Sequence, residues 1–244
     1  LRYYKVNTGE EVKKIRTTEV SAGLNYNPGV TYVNTKQQRL PINLDSPELS
    51  LRHTTGLDGF MGGQYKSNIT SLGIYKRQWL GSFGYIDFNI VGKIQWNKVP
   101  FSMLIQPPVN LSIFEQEATI SMMKDWEFLS DRQVFWSVAW DMNGKLLNRI
   151  PLIKKLKWRE YIAAKGVWGQ LTDKNNPLKN PNDDVLFKFP NKSYTFGDTP
   201  YWELVAGVHN IFKFFGIDYV RRINYLNHPN VDKWGIRMGF LMTF

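Results

Sequence analysis

The sequence has no cysteine, so no stray thiol can pair wrongly in an oxidising compartment such as the bacterial periplasm. Long apolar runs are missing as well. A membrane helix needs roughly 18 or more consecutive apolar residues, and stretches such as Val99–Ile105 are broken by proline and polar residues. That excludes a helical membrane protein. Histidine is scarce, and His53, His209 and His228 lie in no His-Glu-x-x-His spacing and no close cluster of metal-ligand type. No metal and no cofactor is therefore expected. There is no Gly-x-Ser-x-Gly elbow and no glycine-rich phosphate loop, so no catalytic residue is assigned. Leu1 is no initiator, and the first residues lack the apolar core of a signal peptide. The expectation is a mature chain or a fragment.

What is present points elsewhere. Mean hydropathy is -0.36, a value that suggests a soluble protein. A transmembrane barrel gives the same value, because only every second residue of each strand is apolar. The net charge of +10 is scattered. Its one dense cluster, Lys154, Lys155, Lys157 and Arg159, is not interleaved with aromatics as in nucleic-acid motifs. Attraction to anionic lipid headgroups is the better reading, and no nucleic-acid partner is expected.

Period-two alternation recurs in segments of about ten residues. In Ser82–Trp96, residues Ile86, Phe88, Ile90, Ile94 and Trp96 share one face, while Tyr85, Asp87, Asn89, Lys93 and Gln95 share the other. The other segments are Ile15–Tyr26, Glu48–Leu57, Ile69–Gln78, Gln116–Asp125, Arg132–Asp141, Trp158–Gln170, Pro200–Phe212, Phe215–Leu226 and Trp234–Phe244. The spacing predicts about ten antiparallel strands, each long enough to cross a bilayer obliquely. With the C-terminus periplasmic, the long polar connections Asn27–Ser46 and Thr172–Thr199 fall outside the cell. Asn97–Leu111 and Asn143–Lys157 are then long inner connections. Eight tryptophans, Trp79, Trp96, Trp126, Trp140, Trp158, Trp168, Trp202 and Trp234, fall near strand ends, where indoles sit at headgroup level. Trp136 is mid-strand.

The last segment is the most specific signal. Trp234, Ile236, Met238, Phe240, Met242 and Phe244 form an unbroken apolar face ending on the final residue. It resembles the C-terminal signal of outer-membrane barrels, whose terminal aromatic is recognised by the barrel-assembly machinery.

Longer phrases carry a wider resemblance: Pro47-Glu-Leu-Ser-Leu-Arg-His-Thr-Thr-Gly56, Val99-Pro-Phe-Ser-Met-Leu-Ile105, Glu127-Phe-Leu-Ser-Asp-Arg132, Asn143-Gly, Arg149-Ile-Pro-Leu-Ile-Lys-Lys-Leu-Lys-Trp-Arg-Glu160 and Gly207-Val-His-Asn-Ile-Phe-Lys213. Through these the chain resembles a Bacteroidota outer-membrane β-barrel family of unknown function. Its full-length members carry an N-terminal carboxypeptidase-regulatory-like domain. More distantly it is similar to the superfamily of barrel-assembly insertases and two-partner-secretion transporters. The resemblance implies that residues 1–244 are the C-terminal portion of a barrel of about sixteen strands, with about six strands and a periplasmic domain missing before Ile15. It also implies a long lumen-inserted loop before Arg132. The Val-Arg-Gly-Phe-like motif expected in that loop is absent, which puts insertase activity in doubt.

Charged candidates remain. Glu203, His209, Asp218, Arg222 and Arg237 fall on the non-lipid faces of the last three segments, where they set pore selectivity or hold the barrel wall. Arg221 falls on the apolar face and must snorkel, unless the register there slips by one. Asp183 with Asp184, and Glu115 with Glu117, lack a positioned partner and read as solvated loop or lumen groups. Asp173–Asp184 has the oxygen-rich character of a calcium loop without its central glycine or terminal glutamate, so a polar outer loop is the default.

The expectation is thus a non-enzymatic integral outer-membrane protein serving envelope biogenesis or transport. Its partners would be outer-membrane lipid, the assembly machinery and other envelope proteins. A membrane-embedded barrel hydrolase is the alternative, and a soluble β-sandwich binding module a third.

Overall fold

The computed structural model describes residues 2–240. Met242 and Phe244 of the expected terminal signal lie outside the described residues. Strands run in chain order as β1 (Tyr3–Tyr4), β2 (Glu11–Val12), β3 (Glu19–Tyr26), β4 (Tyr32–Asn34), β5 (Arg39–Pro41), β6 (Glu48–Gly56), β7 (Ser67–Trp79), β8 (Tyr85–Gln95), β9 (Arg132–Asp141), β10 (Arg159–Gln170), β11 (Tyr201–Ile211), β12 (Phe215–Arg222) and β13 (Trp234–Phe240). One four-residue helix, α1 (Pro151–Lys154), carries proline in its first turn, where the missing N–H costs nothing.

The architecture is all-β. Nine strands form one antiparallel sheet in the order β3-β6-β7-β8-β9-β10-β11-β12-β13, while β1 pairs with β2 and β4 with β5. Each strand of the large sheet lies beside its neighbour in the chain, apart from the small β4–β5 hairpin inserted after β3. Among the described residues the sheet is open: β3 and β13 are its edges, and Met238 of β13 exchanges backbone hydrogen bonds with Ile113 and Glu115 of a loop. Its register is strongly staggered. The row that starts at Tyr26, the last residue of β3, passes through Leu49, Ile74, Ile90, Trp136 and Gly166 to Trp202, the second residue of β11.

The strand expected over Gln116–Asp125 does not exist. Its apolar residues Ile120, Met122 and Met123 are all buried although they belong to both parities, which no strand with one covered face permits. Its backbone bonds go elsewhere as well. The amides of Ser121 and Met122 donate to the Glu203 carboxylate, and that of Ile120 to the Pro108 carbonyl. Residues 96–131 are therefore one long loop lodged against the sheet, and the sheet has nine strands rather than ten.

Losing that strand reassigns the connections. Residues 57–66, 96–131, 171–200 and 223–233 share one end of the sheet, here the loop end. Residues 27–47, 80–84, 142–158 and 212–214 share the other, the turn end. The two long polar connections expected on one side thus lie at opposite ends. Asn97–Leu111 lies at the loop end with 171–200, where the Val99 amide donates to Asn175 Oδ1 at 2.9 Å. Trp126, expected near a strand end, lies in the long loop and packs edge-on against Phe101.

The two faces of the sheet have opposite character. One is covered by loop 96–131 along β9–β13 and holds the buried residues of both kinds. Phe135, Val167, Tyr201, Val205 and Val220 pack there beside Lys165, Glu203, Asp218 and Arg222. The other face is apolar and bare, with Leu24, Leu51, Leu72, Ile90, Val138, Ile162, Leu204, Ile217 and Ile236 exposed. A sheet solvated on one side presents polar residues to water and apolar ones to its core, and this sheet reverses that. On the bare face Trp136 lies flat across Gly166, where a Cβ would come within 2.4 Å of the indole. Glycine is required there.

Candidate functional site

The covered face is a polar network that ties the inserted loop to the sheet. Lys165 projects from β10 into the Gln116–Thr119 turn of the loop, pairing with Glu115 and donating to the carbonyls of Gln116 at 2.7 Å and Thr119 at 3.0 Å. All three ammonium donors are thereby used. Glu203 on β11 accepts from the amides of Ser121 at 2.9 Å and Met122 at 2.6 Å, and from the Tyr201 hydroxyl at 2.6 Å. Arg237 on β13 donates to the Ser121 carbonyl at 2.8 Å.

Arg222 at the end of β12 holds the far side of the loop. Its guanidinium donates to Glu127 at 3.0 and 2.6 Å and to the carbonyls of Met122, Asn224 and Tyr225. Glu127 also accepts from the Lys124 amide and contacts His228 Nδ1 at 2.8 Å. Burial alone would raise the Glu127 carboxyl, but hydrogen bonds from Arg222, the Lys124 amide and His228 outweigh it and hold the group below the ordinary carboxylate range. His228 stacks on Tyr194 with ring centroids 3.9 Å apart.

Toward the turn end the network changes partners. Arg77 makes a two-pronged pair with Asp87, both contacts at 2.7 Å, and the Tyr75 hydroxyl donates to the same carboxylate. His209 Nε2 lies 2.9 Å from Asp218 Oδ1, and its ring stacks on Tyr161. Beside them is a cavity of about 20 Å³ lined by Tyr85, Glu117, Asp141, Arg159, Tyr161, His209 and Asn210, room for one water. The buried hydroxyl of Tyr161 and Asp218 Oδ2 have no hydrogen-bond partner among the described residues.

Glu203, His209, Asp218, Arg222 and Arg237, singled out in the sequence, all lie on the covered face, but not as one site. Glu203, Arg222 and Arg237 hold the loop, while His209 and Asp218 form a separate pair nearer the turn end. Trp234, Ile236, Met238 and Phe240 share the bare face of β13. Arg221 is exposed on the bare face, so its register does not slip, and it sits opposite Trp234 at the loop end. His53 is also on the bare face, 2.9 Å from the Thr70 hydroxyl. Asp183 pairs with Lys98 and caps the amides of Val185 and Leu186. Among the described residues no group of three or more His, Cys, Asp or Glu side chains is arranged to hold a metal. Lys165 and Glu127 went unassigned in the sequence, and Glu115, read there as a solvated group without a positioned partner, is instead buried and paired with Lys165. The only local sign was a lysine at a covered position, since Lys165 and Glu115 stand 50 residues apart.

Fold and site together define an all-β protein whose antiparallel sheet keeps charge on its covered side and apolar groups on its bare side. Residues 5–99, from the first hairpin past the end of β8, match the C-terminal domain of a family of unknown function, DUF5686. No curated protein and no solved structure matches the chain.

Proposed function

We propose that the chain is part of the wall of an outer-membrane β-barrel, non-enzymatic, that serves envelope biogenesis or translocation. The observation that carries this reading is the inversion of the sheet. A contiguous apolar face spanning nine strands far exceeds the few hundred Å² that soluble monomers expose, and bilayer is the solvent that such a face fits. Two further features support it. The stagger from Tyr26 to Trp202 is the tilt that closing strands into a barrel demands. Exposed-face aromatics also form two belts, with Trp96, Trp168, Trp202 and Trp234 toward the loop end and Tyr26, Trp140, Trp158 and Phe240 toward the turn end.

With Phe240 at the turn end, that end is periplasmic and the loop end extracellular; the two longest connections, 96–131 and 171–200, are then outer loops, and the inner end holds the short turns 80–84 and 212–214 together with the longer connections 27–47 and 142–158. The covered charges Glu203, His209, Asp218, Arg222 and Arg237 then face the lumen. The inserted loop 96–131 stands where the insertase and two-partner-secretion superfamily carries its lumen loop, and this supports the resemblance to that superfamily and to the Bacteroidota family. The hydrolase reading has one observation in its favour, the His209–Asp218 pair beside a water-sized cavity. None of the described residues lining that cavity is serine, threonine or cysteine.

The test is partition. The chain should enter the detergent phase of a cloud-point separation and shift its gel mobility between unboiled and boiled samples. A chain that stays monomeric in the aqueous phase without detergent would defeat the reading.

A further inference from the structure

On the covered side of β6, β7 and β8, where the inserted loop ends its cover, lies an open pocket of about 380 Å³. Its floor follows one row of the sheet. Arg52 on β6 stands opposite Ser71 on β7, which stands opposite Lys93 on β8. With strands about 4.8 Å apart, the two cations leave the backbone roughly 10 Å from each other, with Ser71 between them. The row on one side holds Ser21, Thr54, Ile69 and Gln95, and the row on the other holds Asn25, Ser50, Gly73 and Val91. No carboxylate stands in any of the three rows.

The buried cations on this side of the sheet have carboxylates, Lys165 with Glu115 and Arg222 with Glu127. Arg77, three rows along β7 from Ser71, pairs with Asp87 directly opposite it on β8. Arg52 and Lys93 differ. Among the described residues neither is in an ion pair. Two positive charges that share a pocket without a counter-charge repel each other. An anion between them removes that repulsion.

The surroundings of the two cations are held in place. Thr54 shares a 2.8 Å hydroxyl contact with Ser21. The loop contributes Leu104, Ile105 and Gln106 to the lining. Ile105 exchanges backbone hydrogen bonds with Ser130 at 2.9 and 3.3 Å. The Gln106 carbonyl accepts from Gln133 Nε2 at 3.3 Å, and Gln133 stands opposite Lys93 on β9. The lining is thus part cationic and hydroxylic, from Arg52, Thr54, Ser71 and Lys93, and part apolar, from Ile69, Leu104 and Ile105.

We propose that this pocket binds a small organic anion, its carboxylate held between Arg52 and Lys93 over Ser71 and its apolar body against Ile69, Leu104 and Ile105. A carboxylate suits the arginine fork, which takes both oxygens at once. The volume falls in the range of small-molecule sites, roughly 300–1,000 Å³, so more than a bare inorganic ion fits. The proposal deepens the translocation reading and rests on it: on the lumen side of a barrel wall, the pocket meets a solute on its way through.

The test uses the full-length protein in a non-ionic detergent, with naphthoate, its neutral amide naphthamide and inorganic phosphate as probes and titration calorimetry as readout. One naphthoate should bind per chain, at least ten-fold more tightly than naphthamide, whose equal rings report partition into the micelle. Phosphate should bind at least ten-fold more weakly than naphthoate. Arg52→Gln and Lys93→Gln should each weaken naphthoate at least five-fold, with heat-modifiable gel mobility unchanged because neither side chain has an ion pair to lose. Arg52→Lys, which keeps the charge and gives up the fork, should recover part of the loss. Equal binding of acid and amide, no effect of either glutamine variant, or phosphate bound as tightly as naphthoate overturns the site. Those outcomes leave detergent partition intact. Failure to partition at all would instead remove the membrane reading.

Discussion

Lys165 on β10 and Glu115 in the inserted loop form an ion pair whose side chains are 0% and 5% exposed. Breaking such a pair leaves a buried, uncompensated charge, which costs about 3–5 kcal/mol. Lys165→Ala should therefore lower unfolding free energy by about that amount. Lys165→Met with Glu115→Leu should recover most of the loss, because an apolar pair of similar volume needs no counter-charge. Denaturant titration followed by tryptophan fluorescence reads both variants, and equal damage from the single and double changes would reject the pairing.

Acid should loosen the far side of the loop. The folded-state carboxyl of Glu127 is depressed, because Arg222, the Lys124 amide and His228 together outweigh the burial that opposes them. Its contribution is therefore present above the ordinary glutamate range and lost as pH falls below it, through the folded value. Limited proteolysis across residues 120–127 should accelerate below about pH 4.5. Glu127→Gln should be cut readily at neutral pH and lose the acid step. An unchanged acid step in that variant would assign it elsewhere.

Ile90 lies mid-strand on the bare face of β8, and Asn89 beside it lies on the opposite face. Ile90→Arg should cost about 2–4 kcal/mol of folded-state stability in a bilayer, while Asn89→Arg should cost far less. In a sheet solvated on its bare face the ranking would reverse, since arginine there meets water. Heat-modifiable gel mobility after refolding into vesicles gives the ranking.

Leu178 and Lys155 lie at opposite ends of the sheet, in the 171–200 and 142–158 connections. Leu178→Cys should react on intact cells with an impermeant maleimide, and Lys155→Cys only after the outer membrane is opened. The opposite pattern would invert the assigned orientation.

Nine of the ten segments read from alternation exist, with ends within a few residues, because side-chain parity is a local property that survives any tertiary arrangement. Even the awkward Arg221 kept its register. Gln116–Asp125 misled because Glu117, Thr119 and Ser121 alternate with Ala118, Ile120 and Met122 as they would in a strand. What fixes the backbone there is Glu203 and Lys165, some 46–82 residues away. A carboxylate that replaces a neighbouring strand as hydrogen-bond acceptor leaves no mark in the local pattern. Glu203, Arg222 and Arg237 stood out as covered charges, but their partners in the loop were invisible for the same reason, and with them the assignment of ends.

The strand count has a directional consequence. Nine antiparallel strands in succession make β3 and β13, the two edge strands, point the same way, both from the loop end to the turn end. Bending the sheet until these edges met would create a parallel seam in an otherwise antiparallel wall, with slanted and slightly weaker hydrogen bonds. A wall antiparallel all the way round instead requires an odd number of further strands between them, seven on a count of sixteen. Direction of travel, more than length, thus sets what can complete this surface.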